Sequence, residues 1–108
     1  MDNQNVYTNL RETAAKVLPP GSSLYLYGSR ARGDYHEDSD WDLLILLNKS
    51  DIEQSDYDYV YEFSKAGAMM DEVLIPIIYT RDQWEQRKGT DFYRNVEDDK
   101  IIILFPNG

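Results

Sequence analysis

Two aspartates, Asp40 and Asp42, stand one residue apart at the head of the apolar run Leu43 to Leu47. Side chains alternate faces along a strand. Both carboxylates therefore project from one face, continued by Leu44 and Leu46, while Trp41, Leu43, Ile45 and Leu47 take the other. Side by side, two carboxylates repel, and a divalent cation between them turns repulsion into attraction. Hard oxygen donors of this kind suit Mg²⁺, which takes one or two protein carboxylates and completes its shell with water and phosphate oxygens. Upstream, Gly28 lets a phosphate approach the backbone, and Ser29 can open a short helical turn, Arg30 to Arg32, whose N–H groups face an anion. Gly33 lets the chain leave that turn. Arg30 and Arg32 are either phosphate contacts or surface charges balancing nearby acids, and Arg32 is the candidate phosphate contact. Mg²⁺ on Asp40 and Asp42, with Gly28, Ser29 and Arg32 at the phosphates, would grip a triphosphate.

These residues need elements to hold them. Val6, Leu10, Ala14 and Val17 recur at helical spacing until Pro19-Pro20-Gly21, so residues 3–18 are expected as an amphipathic helix. Ser23 to Tyr27, bounded by Gly21 and Gly28, suits a short buried strand leading into the glycine turn. After the aspartate strand, Ser50-Asp51-Ile52-Glu53 spells a capping box and predicts a helix start there. The alternation in Tyr57 to Tyr61 makes a strand the rival, and the helix formers Lys65 and Ala66 decide for the helix. Val73 to Tyr79 is expected as a strand, placed by Pro76 at an edge or a bulge. Thr80 and Gln83 form another capping box for a helix closed by Gly89, Thr90 caps a short helix through Val96, and Ile101 to Phe105 reads as a last strand.

GSRARG at 28–33, followed after a short loop by SDWDLLILL at 39–47, resembles the nucleotidyltransferase signature of the DNA polymerase β superfamily in its minimal form. The resemblance implies an α+β fold of two layers, a small mixed sheet with helices packed on one face. It implies that Gly28 and Ser29 lie against nucleotide phosphates and that Asp40 and Asp42 hold Mg²⁺. A nucleoside monophosphate, AMP from ATP first among the choices, would then pass in-line to an acceptor as pyrophosphate leaves. Active members of this superfamily usually carry a third carboxylate on the following strand. Here that strand reads VLIPIIY, with Asp71 and Glu72 only at its entrance, so either one of them substitutes or the catalytic set is incomplete. Stand-alone domains similar to this one are often paired, as toxin and antitoxin, with a small helical protein of the HEPN type.

The bulk composition narrows the alternatives. A chain of 108 residues is expected to form one domain, 1–108, with one modest core. Its formal charge of −9 makes free nucleic acid an unfavoured partner. Without cysteine there is neither disulfide nor thiolate metal site, no apolar run reaches a membrane span, and the polar start at Met1 lacks the marks of a signal peptide. A cytoplasmic protein is expected. Isolated His36 in its polar loop reads as solvated, and Glu97-Asp98-Asp99 as an exposed acidic loop. Beside the enzyme stands a second reading: a catalytically degenerate module that keeps the fold, binds nucleotide and covers a basic partner.

Overall fold

The computed structural model describes residues 3–105, so the polar start at Met1 lies outside the described residues. Along the chain run α1 (Asn3–Val17), β1 (Ser23–Tyr27), α2 (Ser29–Arg32), β2 (Trp41–Leu47), a 3₁₀ turn (Gln54–Asp56), α3 (Tyr57–Met69), β3 (Leu74–Thr80), α4 (Arg81–Glu85), α5 (Asp91–Asp99) and β4 (Ile101–Leu104). The four strands form one mixed sheet in the order β3-β2-β1-β4, with β1 antiparallel to both neighbours and β2 parallel to β3. This is the expected α+β arrangement.

The two faces of the sheet are covered by different helices. Val6, Leu10 and Ala14 of α1 and Phe63 of α3 pack on Leu24, Leu26, Leu43, Ile45 and Leu47. On the other face, Trp84 of α4 and Val96 of α5 close over Tyr25, Leu44 and Leu46. The expectation of helices on one face therefore describes the two long helices only. The physical reason lies in β2 itself: WDLLILL is apolar at alternate positions of both faces, and such a strand must be covered twice.

Local signals set most element ends. Thr80 caps α4, its Oγ1 accepting from the Gln83 N–H (3.0 Å) while Gln83 Oε1 accepts from the Thr80 N–H (3.1 Å). Thr90 Oγ1 accepts from the Tyr93 N–H at 3.1 Å to start α5, which runs past Val96 to Asp99. The helical reading of Tyr57 to Tyr61 is right, but its start differs from expectation. Ser50 and Asp51 lie in an irregular bend. The Asp56 carboxylate instead accepts from the Glu53 N–H (2.8 Å) and from Lys49 Nζ (2.9 Å). An ionised acceptor with a cation beside it outcompetes a serine hydroxyl.

Pro76 sits where its missing N–H costs least. The Trp41 N–H donates to the Val73 carbonyl (2.9 Å), so residues 73, 75, 77 and 79 turn their peptide groups toward β2, while 74, 76 and 78 face outward. The sheet edge is the expected place for this proline.

Candidate functional site

The glycine turn forms as its residue types require. Gly28 has φ 79°, a left-handed value, and its carbonyl accepts the N–H groups of Ala31 and Arg32, both at 3.0 Å, to close α2. Gly33, at φ 94°, ends that turn, and its N–H donates to the Ser29 carbonyl (2.9 Å). Directly beside it, β1 and β2 pair so that Tyr27 lies opposite Asp42. A Cβ on Gly28 would come within 2.4 Å of the Asp42 carboxylate. Glycine is needed here twice over, for the backbone conformation and for the room that the aspartate occupies.

The two aspartates come together as the alternation requires. Asp42 is half-buried, and burial first, then the charge of Asp40, hold its carboxyl above the ordinary carboxylate range, against the pull of Arg32. Asp40 itself is exposed at the head of the strand. Tyr27 feels the same field: burial, Asp42 and Tyr79 push its phenol up to about 12. Arg32 sits at the site, its Nη1 paired with Asp99 of α5 at 2.8 Å and its Nε with Asp34 at 3.2 Å. An electrostatically uncomfortable carboxylate pair of hard oxygens, open to solvent on one side, fits a divalent cation as the compensating charge.

Three residues lie elsewhere than the sequence suggests. Arg30 is neither a surface charge nor a phosphate contact, because its side chain turns inward and is only 6% exposed. Glu72 accepts a hydrogen bond from Trp41 Nε1 (2.7 Å) and pairs with Arg30 (3.7 Å). Since Trp41 belongs to the α1 and α3 face, Glu72 is committed on the side of the sheet away from Asp42. Asp71 is exposed in the turn before β3, at φ 57°. The position on β3 in register with Asp42 is Ile75, whose side chain shares its face and is 41% exposed. Among the described residues no three His, Asp or Glu side chains gather where one metal ion could sit. Sequence reasoning passed over Tyr27, which lies opposite Asp42 in the β1–β2 register, and Phe92, whose ring meets that of Tyr27 edge to face at 5.9 Å. Strand alternation through Gly28 pointed to Tyr27, whereas Phe92 reaches the site only through the packing of α5.

A family model described as "Nucleotidyltransferase domain" matches residues 9–104. The chain belongs to this nucleotidyltransferase family. MJ0604 of Methanocaldococcus jannaschii, provisionally named a protein adenylyltransferase, is 34% identical to this nucleotidyltransferase domain over 74% of the chain and 75% of the relative. MJ0141 of the same organism, with the same provisional name, is 38% identical over 72% of each. Among solved structures, a "toxin-antitoxin with AMP-PNP" shares the fold at a TM-score of 0.63 and 14% identity, covering 92% of this chain and 73% of that one. Among the described residues, no helix of the domain is long and apolar enough to cross a membrane.

Proposed function

We propose that this domain, acting as a single unit over residues 1–108, transfers AMP from Mg·ATP to a side chain of a partner protein. The observation that carries the reading is the seating of the Asp42 carboxylate against Gly28, which brings the carboxylate pair and the glycine turn into one site. Asp40 and Asp42 are the residues that would hold Mg²⁺, which when bound neutralises phosphate charge and steadies the leaving pyrophosphate. The chain's own groups do the rest. The leading N–H groups of α2, after Gly28 and at Ser29, lie where helix geometry leaves them without helical acceptors and favour phosphate oxygens. Arg32, half-exposed, can exchange Asp99 or Asp34 for a phosphate oxygen. The acceptor oxygen bonds to the α-phosphorus and gives up its proton to solvent, the bond to the bridging oxygen breaks, and pyrophosphate leaves with its electron pair.

The relatives' provisional names support a protein as acceptor, and the toxin-antitoxin neighbour supports a partner encoded to meet this domain. A small helical protein of the HEPN type, in the cytoplasm, is the proposed acceptor. The decisive experiment incubates the purified domain with ATP and Mg²⁺, alone and with its partner, and weighs the intact proteins. A gain of one AMP on the partner is expected. Ile75 beside Asp42 favours a second reading, a module that binds nucleotide and partner without transfer. Tight Mg-dependent ATP binding with no mass gain on a confirmed partner would decide for it.

A further inference from the structure

We propose that Arg30 is the residue that positions Asp40, an inference resting on the reading of Asp40 and Asp42 as cation ligands. An arginine inside a phosphate-binding turn invites assignment to the phosphates, but this side chain is 6% exposed and every partner it has lies elsewhere. Its Nη2 donates to the carbonyls of Glu37 and Ser39, each at 3.0 Å, and its Nε donates to Ser39 at 3.2 Å. The guanidinium lies over the rings of Tyr35 (4.4 Å) and Trp41 (4.5 Å), with Glu72 at 3.7 Å as counter-charge. These contacts fall on both sides of one residue. The Ser39 carbonyl belongs to the peptide bond that leads into Asp40, and Trp41 follows it.

The two aspartates therefore owe their places to different causes. Asp42 lies within β2 and is fixed by pairing with Tyr27 of β1. Asp40 precedes the strand, is exposed, and has no place in the β1 register. Arg30, whose backbone belongs to α2, clamps the peptide before Asp40 and the ring after it, so the glycine turn and this carboxylate move as one body. Lysine cannot substitute, because a point charge lacks both the forked donors and the flat face that stacks between rings.

The test titrates Mn²⁺ in the presence of AMP-PNP, read by electron paramagnetic resonance, for wild type, Arg30→Lys, Glu72→Gln and the core control Phe63→Leu. Amide hydrogen exchange is followed in parallel. Arg30→Lys is expected to raise the Mn²⁺ Kd about tenfold or more, as loss of a ligand-orienting partner does. Exchange at Trp41, whose N–H donates to Val73, should speed up while β1 and the centre of β3 keep their protection. Phe63→Leu, which loosens the core without touching the clamp, should leave the Kd unchanged after comparable loss of melting temperature. If Arg30→Lys fails to fold, Glu72→Gln carries the comparison, with a smaller shift in the same direction. Wild-type Mn²⁺ affinity in the folded Arg30→Lys protein, or an equal loss in Phe63→Leu, overturns the role of Arg30 alone. Absence of Mn²⁺ binding in wild type overturns the cation reading itself.

Discussion

Asp42 carries opposing demands of folding and chemistry. Its carboxyl is held above the ordinary range by burial and by Asp40, so the folded state binds its proton more tightly than the unfolded chain does. The sign follows: this group's contribution to stability falls as pH rises from the unfolded carboxylate value through the raised folded one, and it stays low at neutral pH. Asp42→Asn is thus expected to melt higher than wild type at pH 7, with the gain shrinking toward pH 4, and to lose the further rise that Mg·ATP gives wild type. Thermal melts at both pH values, with and without Mg·ATP, check this. A lower melting temperature at pH 7 would refute it. Ile75 allows the converse change. Because it shares a face and a register with Asp42, Ile75→Asp should add a third carboxylate where Glu72 cannot reach, and should strengthen Mn²⁺ binding in the presence of AMP-PNP. Calorimetry showing unchanged or weaker binding would mean that β3 stands too far from the pair.

At the scale of elements, the start of α3 separates what can be read locally from what cannot. Asp56 accepts from the Glu53 N–H, and that bond, aided by Lys49 and opposed by burial, holds its carboxyl below the ordinary range. A depressed carboxylate contributes stability above its unfolded value, about 4, and loses it as pH falls through the folded one. Asp56→Ala should therefore cost about 0.5–2 kcal/mol at pH 7 and much less at pH 3, whereas Ser50→Ala should change little. Urea midpoints across that range measure both. The Ser50 and Asp56 frames both resemble caps in the one-letter string, and only the fold brings Lys49 to one of them. By contrast, the boxed Thr80 and Gln83, the glycine-bounded β1 and the proline-marked β3 were legible because their causes lie within a few residues. The pairing of Asp40 with Asp42 was legible for the same reason. The inward turn of Arg30, the capture of Glu72 by Trp41 and the arrival of α5 over the Asp42 face were not. Each depends on residues 9 to 67 positions apart in the chain.

For the molecule as a whole, the open side of β3 has a consequence for self-association. An incoming strand takes a hydrogen bond from every second residue of the edge it joins, a spacing of roughly 6.6 Å. Leu74, Pro76 and Ile78 turn their peptide groups outward there, but Leu74 is covered by Gly67 of α3, and Pro76 removes the next donor along the edge. A guest strand would find a donor at Ile78 alone, with an unanswered carbonyl acceptor about 6.6 Å from it. Around that gap the surface is greasy: Val73, Ile75 and Tyr57 are all more than a third exposed. One imino acid thus keeps a sticky border from templating its own copies, without spending charge on it. Pro76→Val would restore the missing donor and is expected to stay folded, yet to form dimers and larger species as concentration rises, visible by light scattering. A Pro76→Val protein that remains monomeric at millimolar concentration would assign that protection to the chain's net charge of −9 instead.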